Sequence, residues 1–495
     1  MQLNLSHISY TYPGASFPAL DSINAVFPQG WTGIIGDNGC GKTTLALIAA
    51  RQIAPISGSI TPSLYASYCS QDASVTPSNL YELADNWSHE GRHLRELLGI
   101  DEEWFWRYET LSGGQQRRIQ IACALFSAPD VLVMDEPTND LDSETRTIIK
   151  EALASFKGIG LLISHDRDLL DSLVSQSLIF DGRQVIMRPG GYTKATDQAA
   201  NDRMSALRRR EKAKREVKRI EVEAQRRRQE ASLQKAKRSG RGLGNKDNDA
   251  RERIGRAIIS GKDGVAGKLS SNMDRRLARA NESLADIHVG KRYEHRLGDW
   301  GTVARSSIVS HVVSTTLQAG DFSVYVPELW IDSTDHVTLS GRNGTGKSLV
   351  VHYIVESTSP NIKVAYIPQG IGKEERERAL KMLRNCTPDK RGRILSVVAH
   401  LNSDPERLLD GSEVSPGELR KLLLAEQLID DPNFLVLDEP TNHLDIGSIE
   451  ALQNLLVRFP GAVLLVSHDA ALLDAVSEIK WSMTGSESRW QLEIY

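Results

Sequence analysis

Two segments of this 495-residue chain have the residue types and spacing of a phosphate-binding loop. In the pattern GxxxxGK[ST], the glycines let the backbone aim N–H groups at phosphate oxygens. The lysine reaches the β and γ phosphates, and the hydroxyl ligates Mg²⁺. We therefore predict two phosphate cradles that bind ATP with Mg²⁺. Their residues are Gly36, Asn38, Gly39, Gly41, Lys42, Thr43 and Thr44 in the first, and Gly341, Asn343, Gly344, Gly346, Lys347 and Ser348 in the second.

Two adjacent carboxylates follow a strand-like apolar run in each half of the chain. They are Asp135 with Glu136, and Asp438 with Glu439. An aspartate at the end of a buried strand can hold Mg²⁺ directly or through water. The glutamate beside it stands where a general base would polarise the water that attacks the γ phosphate. We predict the aspartates as metal ligands and the glutamates as catalytic bases.

A histidine also ends a strand-like run in each half, within the repeated tripeptide Ser-His-Asp. His165 and His468 can hydrogen-bond the γ phosphate or the attacking water. A lone histidine is more often structural, but its repetition in register favours a catalytic role for both.

The motifs recur in the same order and with closely matching spacing, so the halves are two copies of one domain. Within each copy, short apolar runs alternate with amphipathic stretches. The runs suit buried parallel strands, and each ends at a polar cluster where such sheets place their ligands. The sequence therefore predicts an α/β fold.

A different segment, residues 196–296, separates the copies. Residues 201–290 contain 25 Lys or Arg against 13 Asp or Glu, a net charge of +12, which leaves −16 for the rest of a chain of net charge −4. Helical patterns near 200–237 and 268–289 predict a basic α-helical hairpin. Its charge suits a phosphate-rich partner, although a solvated spacer remains the alternative. Candidate RNA contacts are Arg208, Arg209, Arg210, Lys246, Lys262 and Lys268.

The composition is that of an ordinary globular protein, with 40% hydrophobic and 25% charged residues. No apolar run approaches the roughly 18–20 residues that span a bilayer. The first residues do not resemble a signal peptide. The four cysteines lack metal-ligand spacing, as expected in a reducing compartment. We expect a soluble protein of the cytoplasm.

One motif narrows the class of nucleotide-binding protein. The run from Leu111 through Ser112, Gly113 and Gly114 to Gln115 resembles the signature loop of ATP-binding-cassette proteins. In that family this loop faces the phosphate cradle of the opposite domain, so the resemblance implies that ATP is sandwiched between two domains. We name residues 1–195 the first cassette, residues 196–296 the linker and residues 297–495 the second cassette.

The second signature loop departs from the family pattern. It reads Val414-Ser415-Pro416-Gly417-Glu418, and the proline removes one backbone donor and restricts φ. In the crossed arrangement this loop serves the site built on Lys42 and Glu136. We therefore predict two unequal sites, of which this one is the slower.

Three further residues resemble family positions. Gln71 and Gln369 each follow a strand-like run and resemble the family's glutamine loop, which touches Mg²⁺ and the attacking water. Tyr12 resembles the aromatic residue on which the adenine stacks. The second cassette has no clear counterpart of Tyr12.

The order cassette, basic helical linker, cassette resembles the ABC-F family of ribosome-associated translation factors. The Glu-Pro-Thr-Asn-Asp/His-Leu-Asp motifs, the Gly190-Gly191-Tyr192 segment and residues 260–267 agree with this resemblance. It implies that ATP-driven closure clamps the protein in the ribosomal exit site. The linker would then point toward the P-site tRNA and the peptidyl-transferase centre. It further implies a monomer whose cassettes pair within one chain, with neither a membrane subunit nor DNA as partner.

Other tandem cassettes fit less well. A fused-cassette ATPase of an ABC importer is the main alternative, although it normally lacks a long basic hairpin. A DNA-repair ATPase of the excinuclease type would carry zinc-binding cysteine pairs, and an ABC-E recycling factor would begin with an iron–sulfur cysteine cluster. The intact glutamates disfavour a non-hydrolysing clamp. Within ABC-F, antibiotic protection of the ribosome and general translation control both remain open.

Overall fold

The computed structural model describes residues 1–15, 17–181, 184–238, 264–285, 300–320, 322–403, 405, 408, 414–486 and 489–495. The chain forms two compact units. One comprises Met1–Ala195 with Arg292–Tyr495, and the other comprises Thr196–Lys291. Both cassettes therefore lie in the first unit.

The first cassette is built on two sheets. The larger has the strand order β5-β6-β7-β3-β8-β9 and is parallel except for its β8–β9 edge. The smaller has the order β2-β1-β4 and is antiparallel. The strands are β1 Gln2–Tyr10, β2 Leu20–Pro28, β3 Gly30–Ile35, β4 Ser57–Thr61, β5 Ala66–Cys69, β6 Val131–Asp135, β7 Ile159–Ile163, β8 Gln176–Asp181 and β9 Gln184–Pro189.

Helices surround the larger sheet. Every residue of β6 and β7 is buried, as expected of central parallel strands with both faces covered. Short 3₁₀ turns at Glu102–Trp106 and Tyr108–Thr110 precede the signature helix. The helices are α1 Lys42–Ala49, α2 Leu80–Ala84, α3 His89–Leu97, α4 Gly113–Phe126, α5 Ser143–Ala154 and α6 Arg167–Leu173.

The second cassette repeats this topology. Its large sheet has the order β11-β12-β19-β18-β14-β17-β16-β15, and the run from β15 to β19 matches the run from β5 to β9. The predicted internal repeat and α/β fold are therefore confirmed. The strands are β10 Ile308–Val312, β11 Thr315–Ala319, β12 Phe322–Val326, β13 Leu329–Asp332, β14 His336–Ser340, β15 Val364–Ile367, β16 Phe434–Asp438, β17 Ala462–Val466, β18 Ile479–Ser486 and β19 Arg489–Ile494.

Along the chain, the helices of the linker follow those of the first cassette and precede those of the second. The linker pair is α7 Tyr192–Arg238 and α8 Gly264–Ala285. The second cassette follows with α9 Lys347–Glu356, α10 Lys373–Asn385, α11 Pro388–His400, α12 Pro416–Leu428, α13 Ile446–Val457 and α14 Ala470–Val476.

In the part of the linker unit that the structure describes, two helices pack antiparallel. Ile220 and Ala224 of α7 form a small core with Met273 of α8, and Arg228 pairs with Asp274 at 2.6 Å. Residues later in α7 thus meet residues earlier in α8. The first helix is longer than predicted because no glycine or proline interrupts 192–200, so helix formation continues back to Tyr192.

The apolar residues of α8 differ in their exposure. Met273 is buried, but Leu269 keeps 42% of its surface exposed, and the packing centres on Met273, Leu277 and Ala280. Residues 286–289 of the predicted helix lie outside the described residues.

The sheet order gathers the predicted chemistry at one edge. In the first cassette β6, β7 and β3 are neighbours, and the carboxylates, the histidine and the phosphate cradle follow them respectively. Parallel neighbours end at the same edge, so these groups converge there. Within the part of the chain that is described, no helix has the length and apolar character needed to cross a membrane.

Candidate nucleotide sites

Each phosphate cradle leads directly into a helix. Gly41 and Gly346 are the N-caps of α1 and α9, with φ of 103° and 91°. A Cβ at Gly41 would lie 2.7 Å from the carbonyl oxygen of Ala19, so neither the conformation nor the space suits a side chain. The free N–H groups of each helix start point at the loop, where an anion is stabilised.

The cradle lysines are buried and fold back onto their own loops. Lys42 Nζ donates hydrogen bonds to the carbonyl oxygens of Gly36 at 2.8 Å and Asp37 at 3.0 Å. Lys347 Nζ donates to Gly341 at 2.7 Å and to Arg342 at 3.0 Å. Each ammonium is thus held at the centre of its cradle, ready to exchange carbonyl oxygens for phosphate oxygens.

A hydroxyl and a carboxylate adjoin each cradle. Ser348 Oγ donates a hydrogen bond to Asp438 Oδ2 at 2.7 Å, and Thr43 hydrogen-bonds Asp135 in the same manner. Burial raises the pKa of both aspartates, and these hydrogen bonds oppose the shift. A hydroxyl beside a buried carboxylate is an oxygen donor set of the kind that Mg²⁺ prefers, so these residues fit the predicted ion.

Tyr68 is a neighbour of this donor set that the sequence did not single out. Its hydroxyl donates to Asp135 Oδ2 at 3.0 Å, which orients the carboxylate. The only signal was its position in the strand-like run before Gln71.

The candidate catalytic glutamates share an unusual backbone conformation. Glu136 and Glu439 have φ of 49° and 48°, and their N–H groups bond the carbonyl oxygens of Ile163 and Val466, each at 2.9 Å. Positive φ in a residue with a side chain costs of order 1–3 kcal/mol, and it persists where surrounding structure imposes it. Here the neighbouring strand imposes it and aims the carboxylate toward the cradle.

These glutamates are poised to accept protons near neutral pH. Burial raises the pKa of Glu136 to about 8, with the Asp135 carboxylate adding to the shift. Burial raises the pKa of Glu439 to about 7, opposed by the Lys347 ammonium. In each residue Oε1 is buried, and its contact with a histidine nitrogen lacks hydrogen-bond geometry, so the oxygen keeps an acceptor site for a water.

Each histidine lies against its glutamate. Nε2 of His165 is 3.1 Å from Glu136 Oε1, and Nε2 of His468 is 3.3 Å from Glu439 Oε1. Burial lowers the pKa of both histidines well below its usual range, so both imidazoles are neutral. His468 Nε2 also lies 2.9 Å from Asn343 Oδ1, next to the second cradle. His468 thus lies beside the second cradle, and the catalytic role of both histidines stays a prediction.

The signature serines begin helices. Ser112 caps α4 and Ser415 caps α12, each in a capping box with the residue three positions later, Gln115 and Glu418. Pro416 occupies the first position of α12, where its missing N–H leaves no helical hydrogen bond unmade. The second signature loop therefore keeps its helix start and lacks one donor for an anion. Gly113, Gly114 and Gly417 lie within the same helix starts.

The glutamine-loop residues are exposed, but their backbones are fixed by buried arginines. Arg117 donates to the carbonyl oxygens of Gln71 and of Ser70, the latter at 2.6 Å. Arg420, the equivalent residue, donates to the Gln369 carbonyl oxygen at 2.6 Å and to that of Glu439. The sequence prediction missed both arginines, although their repetition in register within the signature helices was visible.

The two cassettes contact each other reciprocally through their cradles. Asn38 N donates to Asp445 Oδ2 at 3.3 Å, and its Nδ2 donates to the His443 carbonyl oxygen at 3.1 Å. In the mirror contact, Asn343 N lies 3.4 Å from Asp142 Oδ2, and its Nδ2 lies 2.9 Å from the Asp140 carbonyl oxygen. Each cradle thus meets the loop that follows the carboxylate pair of the other cassette. These loop residues were not singled out from the sequence.

The remaining predicted residues are spread more widely. Tyr12 lies beside α1 with its hydroxyl 3.1 Å from Thr44 Oγ1, and 44% of its surface is exposed. Arg208, Arg209 and Arg210 are exposed on α7. Lys246, Lys262 and the side chain of Lys268 lie outside the described residues.

Comparison with known proteins identifies the repeated domain. The family model described as ABC transporter matches residues 20–139 and 327–442, one segment in each cassette. The tylosin resistance ATP-binding protein TlrC of Streptomyces fradiae is 27% identical over 522 residues, covering 90% of this chain and 90% of that protein. The ribosome protection protein VmlR of Bacillus subtilis (strain 168) is 25% identical over 506 residues, covering 99% of this chain and 88% of that protein.

Solved structures share the fold. The RNase-L inhibitor has a TM-score of 0.62 at 18% identity, covering 98% of this chain and 90% of that chain. Two matched segments, the repeated topology and relatives of nearly full length agree with the predicted resemblance, which is confirmed. The chain therefore contains two ATP-binding-cassette domains and is a tandem-cassette ATPase similar to proteins of the ABC-F type.

Proposed function

We propose that this protein is an ATPase of the cytoplasm that acts on the ribosome, using ATP-driven closure of its cassettes to place the linker against RNA. The observation that carries the proposal is the antiparallel pair α7 and α8, which belongs to a segment of net charge +12 in an otherwise acidic chain. Positive charge so concentrated has the placement needed for a phosphate-rich partner.

ATP hydrolysis in this proposal proceeds at two composite sites. Lys42 and Lys347 bind the β and γ phosphates. Glu136 and Glu439 accept the proton of the attacking water, and the neutral His165 and His468 orient that water or the γ phosphate. Support comes from the raised pKa of both glutamates and from their buried Oε1 atoms, each of which keeps an acceptor site for a water.

Mg²⁺ is the metal that these donor sets fit. Thr43 with Asp135, and Ser348 with Asp438, would hold it, with Gln71 and Gln369 as further ligands. When bound, the ion neutralises charge on the transferring phosphoryl group. The chain's own contribution is to hold each hydroxyl against its carboxylate, as the 2.7 Å contact of Ser348 and Asp438 illustrates.

Each site draws on both cassettes. The loop that begins with Ser112 completes the site built on Lys347, and the loop that begins with Ser415 completes the site built on Lys42. The reciprocal contacts of Asn38 and Asn343 support this pairing, because each reaches across to the other cassette. Tyr12 stacks on the adenine of the first site. Pairing within one chain makes the functional unit a monomer.

The ribosome is the proposed partner, through ribosomal RNA and the P-site tRNA. The relatives support it, since VmlR is named a ribosome protection protein and TlrC a tylosin resistance protein. In this chain we place the clamp at the exit site and direct the linker toward the P-site tRNA and the peptidyl-transferase centre. Arg208, Arg209 and Arg210 are exposed on α7 and available to phosphates.

An importer ATPase is disfavoured. Such a subunit docks on membrane partners and has no use for a basic helix pair, and the full-length relatives carry resistance and ribosome-protection names. Antibiotic protection and general translation control remain two forms of the same proposal.

A trapped variant tests the proposal. The Glu136→Gln, Glu439→Gln double variant with ATP should co-sediment with ribosomes, and the wild type with ADP should remain in the supernatant. Cryo-EM of the trapped complex then shows where the linker lies on the ribosome. The drug susceptibility of cells that express the protein distinguishes antibiotic protection from general translation control. Absence of the trapped variant from the ribosome pellet at low salt would refute ribosome binding.

A further inference from the structure

A buried lysine lies behind the second signature loop. Lys421 belongs to α12, and only 4% of its surface is exposed. Its Nζ donates a hydrogen bond to Ser403 Oγ at 2.9 Å and lies 3.5 Å from the Asn402 carbonyl oxygen. Neither partner carries a negative charge, so the ammonium must find its counter-charges elsewhere.

Those counter-charges come from both cassettes. Burial lowers the pKa of Lys421, and the carboxylates of Asp445, Glu418 and Asp37 oppose that shift. Asp37 is part of the first phosphate cradle, whereas the other two belong to the second cassette. One buried cation is thus shared by acidic groups on the two sides of an interface.

Asn402 lies between two of these carboxylates, Asp37 and Asp445. Its Nδ2 lies 3.0 Å from Asp37 Oδ1 and 3.5 Å from Asp445 Oδ1. Two like charges sharing one amide donor repel each other unless a cation neutralises them. Lys421 and all three carboxylates line one cavity of about 520 Å³ between the first cradle and α12.

Comparison of the two cassettes shows that the cluster around Lys421 occurs only beside the first cradle among the described residues. The position of Lys421 is taken in the first cassette by Arg118, which stacks on Trp104 at 4.7 Å and donates to the carbonyl oxygens of Leu98 and Gly99 at 3.3 Å. The position equivalent to Asn402 is Gly99 in the first cassette. Glycine has no side chain that could contact two carboxylates as Asn402 does. Arg342 replaces Asp37 and pairs with Glu144 at 3.0 Å.

We propose that Lys421 is a positioning residue for the ATPase site built on Lys42. Its charge neutralises Asp37 and Asp445, which lets the second cassette close on the first cradle although Pro416 has removed one donor from the signature loop. The inference rests on the proposed function, because it requires that this site be shared between the cassettes.

The test isolates the Lys42 site in the full-length chain. In a Glu439→Gln background, steady-state hydrolysis reports the site that retains Glu136. Lys421→Met should raise the KM for ATP about tenfold and change kcat less, because loss of one partner of a buried charge cluster weakens closure. Lys421→Arg, which keeps the charge, should stay within about threefold of the parent.

Two further variants separate neutralisation from damage to the fold. Asp37→Asn added to Lys421→Met should bring KM back to within about threefold of the parent, because it removes the charge that Lys421 had neutralised. Arg118→Met, the matched change at the equivalent position of the first cassette, should leave the KM of this site unchanged. The proposal would be overturned if Lys421→Met and Arg118→Met had the same KM. It would also be overturned if adding Asp37→Asn to Lys421→Met failed to lower the KM.

A binding measurement keeps this result apart from the proposed function. Titration of the same variants with a fluorescent ATP analogue and Mg²⁺ should show the same order of affinities. If the Glu439→Gln parent hydrolyses no ATP, the ATPase assignment of this site fails, and the affinities alone decide the role of Lys421. Equal affinities of Lys421→Met and its parent would then reject that role.

Discussion

The backbone N–H of Asn38 donates a hydrogen bond to Oδ2 of Asp445 at 3.3 Å, and these two residues belong to different cassettes. The equivalent pair, Asn343 and Asp142, makes the mirror contact at 3.4 Å. A residue of each phosphate cradle is therefore tied to the loop that follows the other cassette's carboxylate pair. These contacts connect each cradle directly to the loop that follows the opposite carboxylates.

Removing the asparagine side chains should uncouple the cassettes without unfolding them. Asn38→Ala and Asn343→Ala each delete one hydrogen bond to a carbonyl oxygen of the opposite cassette. We expect Asn38→Ala to lower ATP hydrolysis about five- to tenfold, as the loss of one hydrogen bond implies. Asn343→Ala should lower it further, because it also removes the contact with His468 Nε2. The free energy of unfolding should change by less than about 1 kcal/mol, because each residue lies on a partly exposed loop.

Steady-state hydrolysis and urea unfolding on the same preparations check this prediction. Asn24→Ala on β2 is a control, since Asn24 also donates and accepts local hydrogen bonds but lies outside the cradles. Full activity of both cradle variants would contradict the coupling.

The two ATP sites should differ in rate. Glu439→Gln leaves the site built on Lys42, which in the proposed pairing is closed by the loop containing Pro416. Glu136→Gln leaves the site built on Lys347, which in the same proposal is closed by the unaltered loop at Ser112. Loss of a general base costs about 10²–10⁴-fold at the affected site, so each variant reports the other site. We expect Glu439→Gln to have the lower residual rate.

Steady-state hydrolysis at saturating ATP and Mg²⁺ measures both residual rates. Replacing Pro416 with glycine in the Glu439→Gln background restores the missing donor and should raise that rate. Equal residual rates in the two single variants would speak against unequal sites.

We expect Arg117 to stabilise the backbone of the glutamine loop. It is 4% exposed and donates hydrogen bonds to the carbonyl oxygens of Ser70 and Gln71. Arg117→Met leaves those acceptors without a charged donor, which should cost about 2–4 kcal/mol of unfolding free energy. Arg92→Met on the exposed face of α3 should cost less than about 0.5 kcal/mol. Urea unfolding measures the stability of both variants. Equal free energies of unfolding for Arg117→Met and Arg92→Met would show that Arg117 does not stabilise the glutamine loop.

The linker charge should control ribosome affinity and its salt dependence. Reversal of Arg208, Arg209 and Arg210 to glutamate removes three candidate phosphate contacts. We expect weaker binding at every salt concentration and a slope of log affinity against log salt that is flatter by about 2 units. The same reversal at Arg376, Lys381 and Arg384, exposed on α10 of the second cassette, is the matched control.

Co-sedimentation of the ATP-trapped double variant over a salt series measures both effects. If the linker and α10 reversals weaken binding equally, the linker has no special role and net charge alone explains the affinity.

The sequence by itself determined the local chemistry of the sites. A cradle such as 36–43 needs only its own glycines, lysine and hydroxyl, since its geometry arises within eight consecutive residues. The carboxylate pair at Asp135 and Glu136 was readable because an apolar run ending in acidic residues is a local pattern. Repetition of these patterns revealed the two cassettes, and charge counting revealed the linker.

The tertiary structure alone decided which groups act across the cassettes. Asn38 meets Asp445, and Asn402 meets Asp37, over separations of 407 and 365 residues, so no window of sequence contains both partners. Arg117 finds the Gln71 carbonyl oxygen only because α4 packs beside β5. Hydrogen bonds and charge pairs act over a few ångströms, and folding determines which distant residues come within that range.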